Sequence, residues 1–181
     1  MKHILAGNAA LALCSAFYLA WWILAFKPAG AVKGFKTDWL LIPAVAFGGA
    51  ALLLIFMGTS TVSSEDTLFP QAWIGGTGAI VFVLLLIGTW VFMKRPVTAE
   101  LFLIAGWATL AIYEVSALKG MGVYSKTGAL VFSFCVIVMM IVSLICYLLY
   151  YKLDSVKGWY DGMIPLIFVL LTAIATDLTM L

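Results

Sequence analysis

Apolar residues occur in six long runs along this chain, and polar residues are concentrated in short segments between them. A helix that crosses the hydrocarbon core of a bilayer needs about 20 mostly apolar residues. Each run is long enough, and the connections are too short to hold a soluble domain. The pattern therefore predicts an all-α integral membrane protein, in which residues 1–181 form one compact bundle of six transmembrane helices. The predicted spans are Ile4–Phe26, Trp39–Gly58, Leu68–Met93, Thr98–Leu118, Thr127–Tyr151 and Trp159–Leu181.

The overall composition is typical of the same class. The chain is 65% hydrophobic and 10% charged, whereas soluble domains carry about 25% charged residues. The net charge of +2 is small and its charges are scattered, which argues against nucleic acid as a partner. The expected surroundings are therefore the lipid bilayer.

Lysine and arginine are distributed unevenly between the two sides of the predicted bundle. Seven of them lie in loops one, three and five, and three lie on the other side. Because basic residues are enriched in cytoplasmic loops, these three loops are expected in the cytoplasm of a cell-membrane protein, with both termini external. The seven are Lys27, Lys33, Lys36, Lys94, Arg95, Lys152 and Lys157; the three are Lys2, Lys119 and Lys126.

Spans three and six align without gaps, and they cross the membrane in opposite directions under this orientation. A three-plus-three inverted repeat would produce such a match, and many transporters are built in that way. Runs of Leu and Val also match by chance, so the inverted repeat is an expectation about the fold. The matches pair Trp73 with Trp159, Gly76 with Gly162, and residues 82–85 with residues 168–171.

Two acidic residues lie well inside predicted spans, Glu114 in span four and Asp177 in span six. A charged carboxylate in the hydrocarbon core costs about 2.5–3.5 kcal/mol, so it usually faces a partner or a cavity. At about 1.5 Å per residue, both acids lie in the outer half of the membrane, level with Asn8 of span one. These three residues are predicted to form a transport or proton site. The alternatives are that Glu114 pairs with a lysine near the surface and that Asp177 only ends its helix.

Other polar and small residues are candidates for supporting positions. Small residues allow helix backbones to approach closely in lipid, either within one protomer or in an oligomer. Trp107 lies in the middle of span four, where it either packs in the core or lines a pathway. The predicted pathway lining is Tyr113, Ser116, Thr176 and Trp107, and the predicted helix-packing glycines are Gly48, Gly49, Gly75 and Gly76.

The remaining residues point to no cofactor or metal. His3 is the only histidine, and no nucleotide-binding, hydrolase or metalloprotease motif is present,. The three cysteines, Cys14, Cys135 and Cys146, lie in apolar runs and are expected to act as small hydrophobes. Asp161 lies close to the predicted start of span six, where an acid complements the helix dipole. An enzyme is therefore the less favoured class.

Three functions remain open from the sequence. The leading hypothesis is a transporter or channel for a small solute or ion, linked to protons through the intramembrane carboxylates. The first alternative is a non-catalytic membrane subunit or anchor, bound to a partner subunit or to further copies of itself. The second is an intramembrane lipid-modifying enzyme, in which Glu114 or Asp177 acts as general acid or base.

Overall fold

Six long helices account for most of the chain. The structure, a computed structural model, describes residues 1–28, 37–63, 65–94 and 99–181. All six helices are long and apolar enough to cross a membrane, as the sequence predicted. Lys33, Lys36 and Arg95, which contributed to the predicted orientation, lie outside the described residues. The helices are α1 (Lys2–Ala25), α2 (Leu41–Thr59), α3 (Gln71–Met93), α4 (Ala99–Gly120), α5 (Lys126–Tyr150) and α6 (Ser155–Met180), with a short 3₁₀ helix (Thr37–Leu40) before α2.

The start of α6 differs from the predicted span. Asp154 caps the helix, and its carboxylate accepts a hydrogen bond from the Lys157 backbone N–H at 2.9 Å. This bond holds the pKa of Asp154 below its usual range. An N-cap of this kind satisfies an amide that a helix end leaves unpaired. As a result α6 begins at Ser155, and Asp161 lies in its second turn.

The chain divides into two compact units. The first unit consists of Met1–Thr61 and Ile145–Leu181, and the second consists of Val62–Leu144. The first therefore contains α1, α2, α6 and the end of α5, and the second contains α3, α4 and the rest of α5. This division does not follow the border between α3 and α4 that a three-plus-three repeat would set, and the inverted repeat stays a prediction.

In the first unit, α1 packs against both α2 and α6. Gly7 lets α1 approach α2 closely, because a Cβ there would lie 2.6 Å from Cγ1 of Ile55. Two turns further on, Cys14 lies against Gly48, and the rings of Phe17 and Phe47 stack at 5.8 Å. Close approach of small residues is the usual basis of helix association in lipid.

The contact between α1 and α6, called here the α1–α6 seam, has an antiparallel register. The Ser15 hydroxyl donates to the Leu166 carbonyl at 2.6 Å. One heptad later on α1, Trp22 Nε1 donates to the Trp159 carbonyl at 3.1 Å, and the Trp22 indole lies directly against Gly162. Since residue numbers rise along α1 as they fall along α6, the two helices run in opposite directions.

In the second unit, α3 and α4 pack through Gly78 and Thr109 and through an edge-to-face contact of Phe82 with Phe102. A cavity of about 400 Å³ lies between α3, α4 and α5. Its lining is almost entirely apolar, with the hydroxyls of Thr77 and Thr109 as the exceptions. Such a lining suits hydrocarbon better than a polar solute.

Candidate functional site

Asn8 and Asp177 meet at one end of the α1–α6 seam. The Asn8 side chain lies close enough to the Asp177 carboxylate to interact with it, and Asn8 is only 1% exposed. Asn8 lies seven residues before Ser15, so it occupies the same face of α1,. Because α6 continues to Met180, Asp177 lies within the helix and its side chain turns toward α1.

One oxygen of Asp177 has unused bonding capacity. Among the residues that the structure describes, Oδ1 of Asp177 is buried and makes no hydrogen bond. A buried polar atom without a partner is rare in folded proteins and calls for an explanation. An ionised carboxylate can only accept hydrogen bonds, whereas the protonated form is neutral and carries a donor. Asp177 therefore offers a vacant oxygen at which a proton can add.

Thr176 and Thr172 lie on the α6 face that is buried beside this pair. Thr176 is buried, and its hydroxyl donates to the Thr172 carbonyl at 2.9 Å. The Thr172 hydroxyl donates in turn to the Phe168 carbonyl at 2.9 Å. Both hydroxyl protons are thus used within α6. The pathway role predicted for Thr176 stays a prediction.

Glu114 lies in the second unit, on the most buried of the six helices. It is 3% exposed, and the residues from 114 to 118 are all buried. Glu114 does not line the apolar cavity of this unit. Of the three predicted site residues, the structure joins Asn8 to Asp177, and Glu114 belongs to the other unit.

Ser116 and Lys119, close to Glu114 on α4, bind the loop that precedes α3. The Phe69 N–H donates to the Ser116 hydroxyl at 3.0 Å, and that hydroxyl donates back to the Phe69 carbonyl at 3.1 Å. The Lys119 ammonium donates to the Asp66 carbonyl at 2.7 Å. These bonds attach the loop to the end of α4, a role that the sequence did not indicate.

The other predicted positions have mixed surroundings. Trp107 is buried and Tyr113 is half-buried. Gly48 packs against Cys14, as described above. In contrast, a Cβ on Gly49, Gly75 or Gly76 would meet nothing within 4 Å in the described parts of the chain. The packing role predicted for these three glycines stays a prediction.

Sequence reasoning missed the partnership of Asp161 with Cys146. The Cys146 thiol lies close enough to the Asp161 carboxylate to interact with it, and Cys146 is 6% exposed. Because these residues lie on different helices, no local spacing indicated the contact. The seven-residue spacing of Asn8, Ser15 and Trp22 was a signal that could have identified the α1 side of the seam,.

Metal binding has no support from the described residues. Within the ranges given above, no group of three or more His, Cys, Asp and Glu side chains comes together. Hard cations such as Ca²⁺ take six or more oxygen ligands.

Comparisons with known proteins assign no family to this chain. No protein-family model matches it, and no curated protein or solved structure is significantly similar to it. Function is therefore inferred from the side chains and contacts described above.

Proposed function

We propose that this chain moves a small solute or ion across a membrane, and that proton binding at the Asn8–Asp177 pair is coupled to this movement. The observation that carries the proposal is the buried, unbonded Oδ1 of Asp177, in an apolar helix. Ionised, Asp177 is costly in this environment; protonated, it is neutral. A group that changes charge at a fixed place in the membrane can link the binding of a proton to the binding of a solute.

Asn8 favours a proton over a metal ion at this position. Its neutral amide lies close to the carboxylate and can donate a hydrogen bond to it without taking up the added proton. One carboxylate and one amide are too few ligands for a hard metal ion, whereas a proton needs one oxygen atom. We propose Glu114, on the buried face of α4, as a second group that binds a proton or the solute.

The proposal includes a cell-membrane location with both termini external. The excess of basic residues in loops one, three and five supports this orientation,. The Asn8–Asp177 pair would then bind protons from the outer side. A three-plus-three inverted repeat, with the pathway between its halves, remains part of the same proposal.

Proton movement in reconstituted vesicles tests this function. The purified chain is placed in liposomes that contain a trapped pH-sensitive dye, and a pH gradient is imposed with and without a mixture of small solutes. We expect faster proton entry than in protein-free liposomes. The rate of proton entry should fall by about 10²-fold in Asp177→Asn, because a positioned acid–base group typically contributes at least that factor. Glu114→Gln tests the second carboxylate in the same assay.

The matched control is Asp66→Asn, which removes an exposed carboxylate outside the helices. Its proton entry should equal that of the unmodified protein. The proposal is wrong if the unmodified protein is no faster than empty liposomes under both conditions. It is also wrong if Asp177→Asn transports protons as fast as Asp66→Asn.

A second candidate function is that of a membrane subunit in a larger assembly. The observation that favours it is the open surroundings of Gly75 and Gly76 on α3. Exposed small residues on a membrane helix fit the close approach of another helix. A Gly76→Leu variant that changes the mass of the purified particle, measured by light scattering, would support this candidate, and an unchanged mass would count against it.

A further inference from the structure

A second carboxylate occupies the other end of α6 from Asp177. Asp161 lies sixteen residues earlier on the same helix, which is about 24 Å along the axis at 1.5 Å per residue. It belongs to the same unit as the Asn8–Asp177 pair. The two acids therefore lie toward opposite ends of one helix that is long and apolar enough to span a membrane.

The local environment of Asp161 repeats the chemistry of Asp177. The Cys146 thiol lies close to its carboxylate. Among the described residues, its Oδ2 is buried and makes no hydrogen bond. Each acid thus has one polar neighbour from another helix, Asn8 from α1 in one case and Cys146 from α5 in the other, and one oxygen without a hydrogen bond.

Beside Asp161, α6 lacks one backbone hydrogen bond and packs tightly against aromatic side chains. Pro165 has no N–H, so α6 cannot form its regular hydrogen bond to the Asp161 carbonyl,. The adjacent Gly162 lies against the Trp22 indole. One turn earlier, a Cβ on Gly158 would lie 3.4 Å from the Tyr150 ring, which itself lies 5.5 Å from the Trp22 ring. Asp161 therefore lies beside a bulky aromatic cluster, at a point where α6 can bend.

The chemistry of this position selects a proton as the ligand. The titratable group that interacts with Asp161 is Cys146 on α5, and α1 presents Trp22, which does not titrate. One carboxylate and one thiol are too few ligands for a metal ion. A proton taken from water can add at the unbonded oxygen of Asp161, while the Cys146 thiol keeps its own hydrogen.

We infer that Asp161 is a second proton-binding carboxylate, which exchanges protons at the Ser155 end of α6 and is oriented by Cys146. The inference rests on the proposed function in that the proton bound at Asp161 enters the same transport cycle as the proton bound at Asp177. The α1–α6 seam runs between the two acids, and within it the Ser15 hydroxyl donates a hydrogen bond to the Leu166 carbonyl. Asp161 and Asp177 then serve opposite sides of the membrane.

The Cys146 thiol provides a direct test that does not depend on transport. The full chain carries Cys14→Ala and Cys135→Ala, so that Cys146 is the only thiol, and its S–H stretch is followed by infrared spectroscopy as the pH is varied. We expect the S–H band to shift at the pH at which a carboxylic acid C=O band appears. Asp161→Asn should abolish the S–H shift and the C=O band that appears at the same pH, and leave the separate C=O band of Asp177. Asp177→Asn should retain the S–H shift and the C=O band that accompanies it.

An S–H band that does not change with pH, or that changes equally in Asp161→Asn, would overturn the inference. If Asp161→Asn does not elute as a folded particle, Cys146→Ala gives the second measurement. This variant should keep the Asp161 C=O band, but at a shifted frequency, because the Asp161 carboxyl group no longer has the thiol as a hydrogen-bond donor. An unshifted C=O band in Cys146→Ala also overturns the inference.

Proton entry into liposomes then separates this inference from the proposed function. We expect Asp161→Asn to slow entry by about 10²-fold, with Asp66→Asn as the control. If the unmodified protein moves no protons, the proposed function fails, and with it the place of Asp161 in a transport cycle. If the unmodified protein does move protons and Asp161→Asn moves them equally fast, Asp161 is not on the path, and only this inference fails.

Discussion

At the scale of single residues, Gly76 and Gly162 illustrate how the same residue type has different roles. The two positions match in the alignment of spans three and six. A Cβ on Gly162 would collide with the Trp22 indole, whereas a Cβ on Gly76 would meet nothing within 4 Å in the described parts of the chain. Glycine is therefore required at position 162 by a contact within the chain, and no such contact requires it at position 76.

This contrast predicts different effects of the same substitution. Gly162→Ala should lower the free energy of unfolding by about 1–3 kcal/mol, because overpacking forces a rigid ring or the helix backbone to move. Gly76→Ala should leave it unchanged or raise it by up to about 1 kcal/mol, since alanine is the better helix former. Thermal unfolding in detergent, followed by tryptophan fluorescence, measures both. Equal stability of the two variants would contradict the Trp22–Gly162 contact.

The residue scale also shows what could be read from the sequence about the candidate site. Depth along the spans predicted Asn8 and Asp177 at one level, and in the structure the two side chains lie close together. The same counting could not find the Asp161–Cys146 contact. Depth is a property of each helix alone, whereas a side-chain contact depends on the rotation of two helices about their axes.

At the scale of elements, the face that α1 turns toward α6 repeats every seven residues. Asn8, Ser15 and Trp22 lie on it, and their partners run backward along α6. A seven-residue repeat keeps one stripe of a helix against its neighbour. The register of the α1–α6 seam is therefore fixed by three contacts along its length.

This register predicts which cysteine pairs will cross-link. In a chain whose native cysteines are replaced by alanine, Asn8→Cys with Asp177→Cys should react with a short bifunctional thiol reagent. Ser15→Cys with Asp177→Cys should not, because Ser15 lies about 10 Å further along α1. Mass spectrometry of the digested protein detects the linked peptides. Cross-linking of the second pair, and not of the first, would show that the register is wrong.

At the scale of the whole molecule, the first unit contains both the N-terminal and the C-terminal segments of the chain. It contains Met1–Thr61 and Ile145–Leu181, and the second unit is formed by the segment between them. The proposed orientation applies to both units, because short loops connect all six helices.

The orientation predicts the side from which two loops can be labelled. Ser63 precedes α3 and Ser155 begins α6, and both side chains are exposed. In a chain without native cysteines, Ser63→Cys should react with a membrane-impermeant maleimide in intact cells, since loop two is predicted outside. Ser155→Cys should react only after the cells are permeabilised. The opposite labelling pattern would reverse the orientation.

The sequence by itself determined the number and approximate extent of the helices, because the length and hydrophobicity of a run are local properties. It did not determine where α6 begins, since the Asp154 cap extends the helix beyond the apolar run. The seven-residue spacing of Asn8, Ser15 and Trp22 marks one face of α1, but the sequence does not show which helix this face meets. Only the tertiary structure decided which faces meet, and so joined Asn8 to Asp177 and Cys146 to Asp161. Those contacts depend on the shapes of two helices packed together.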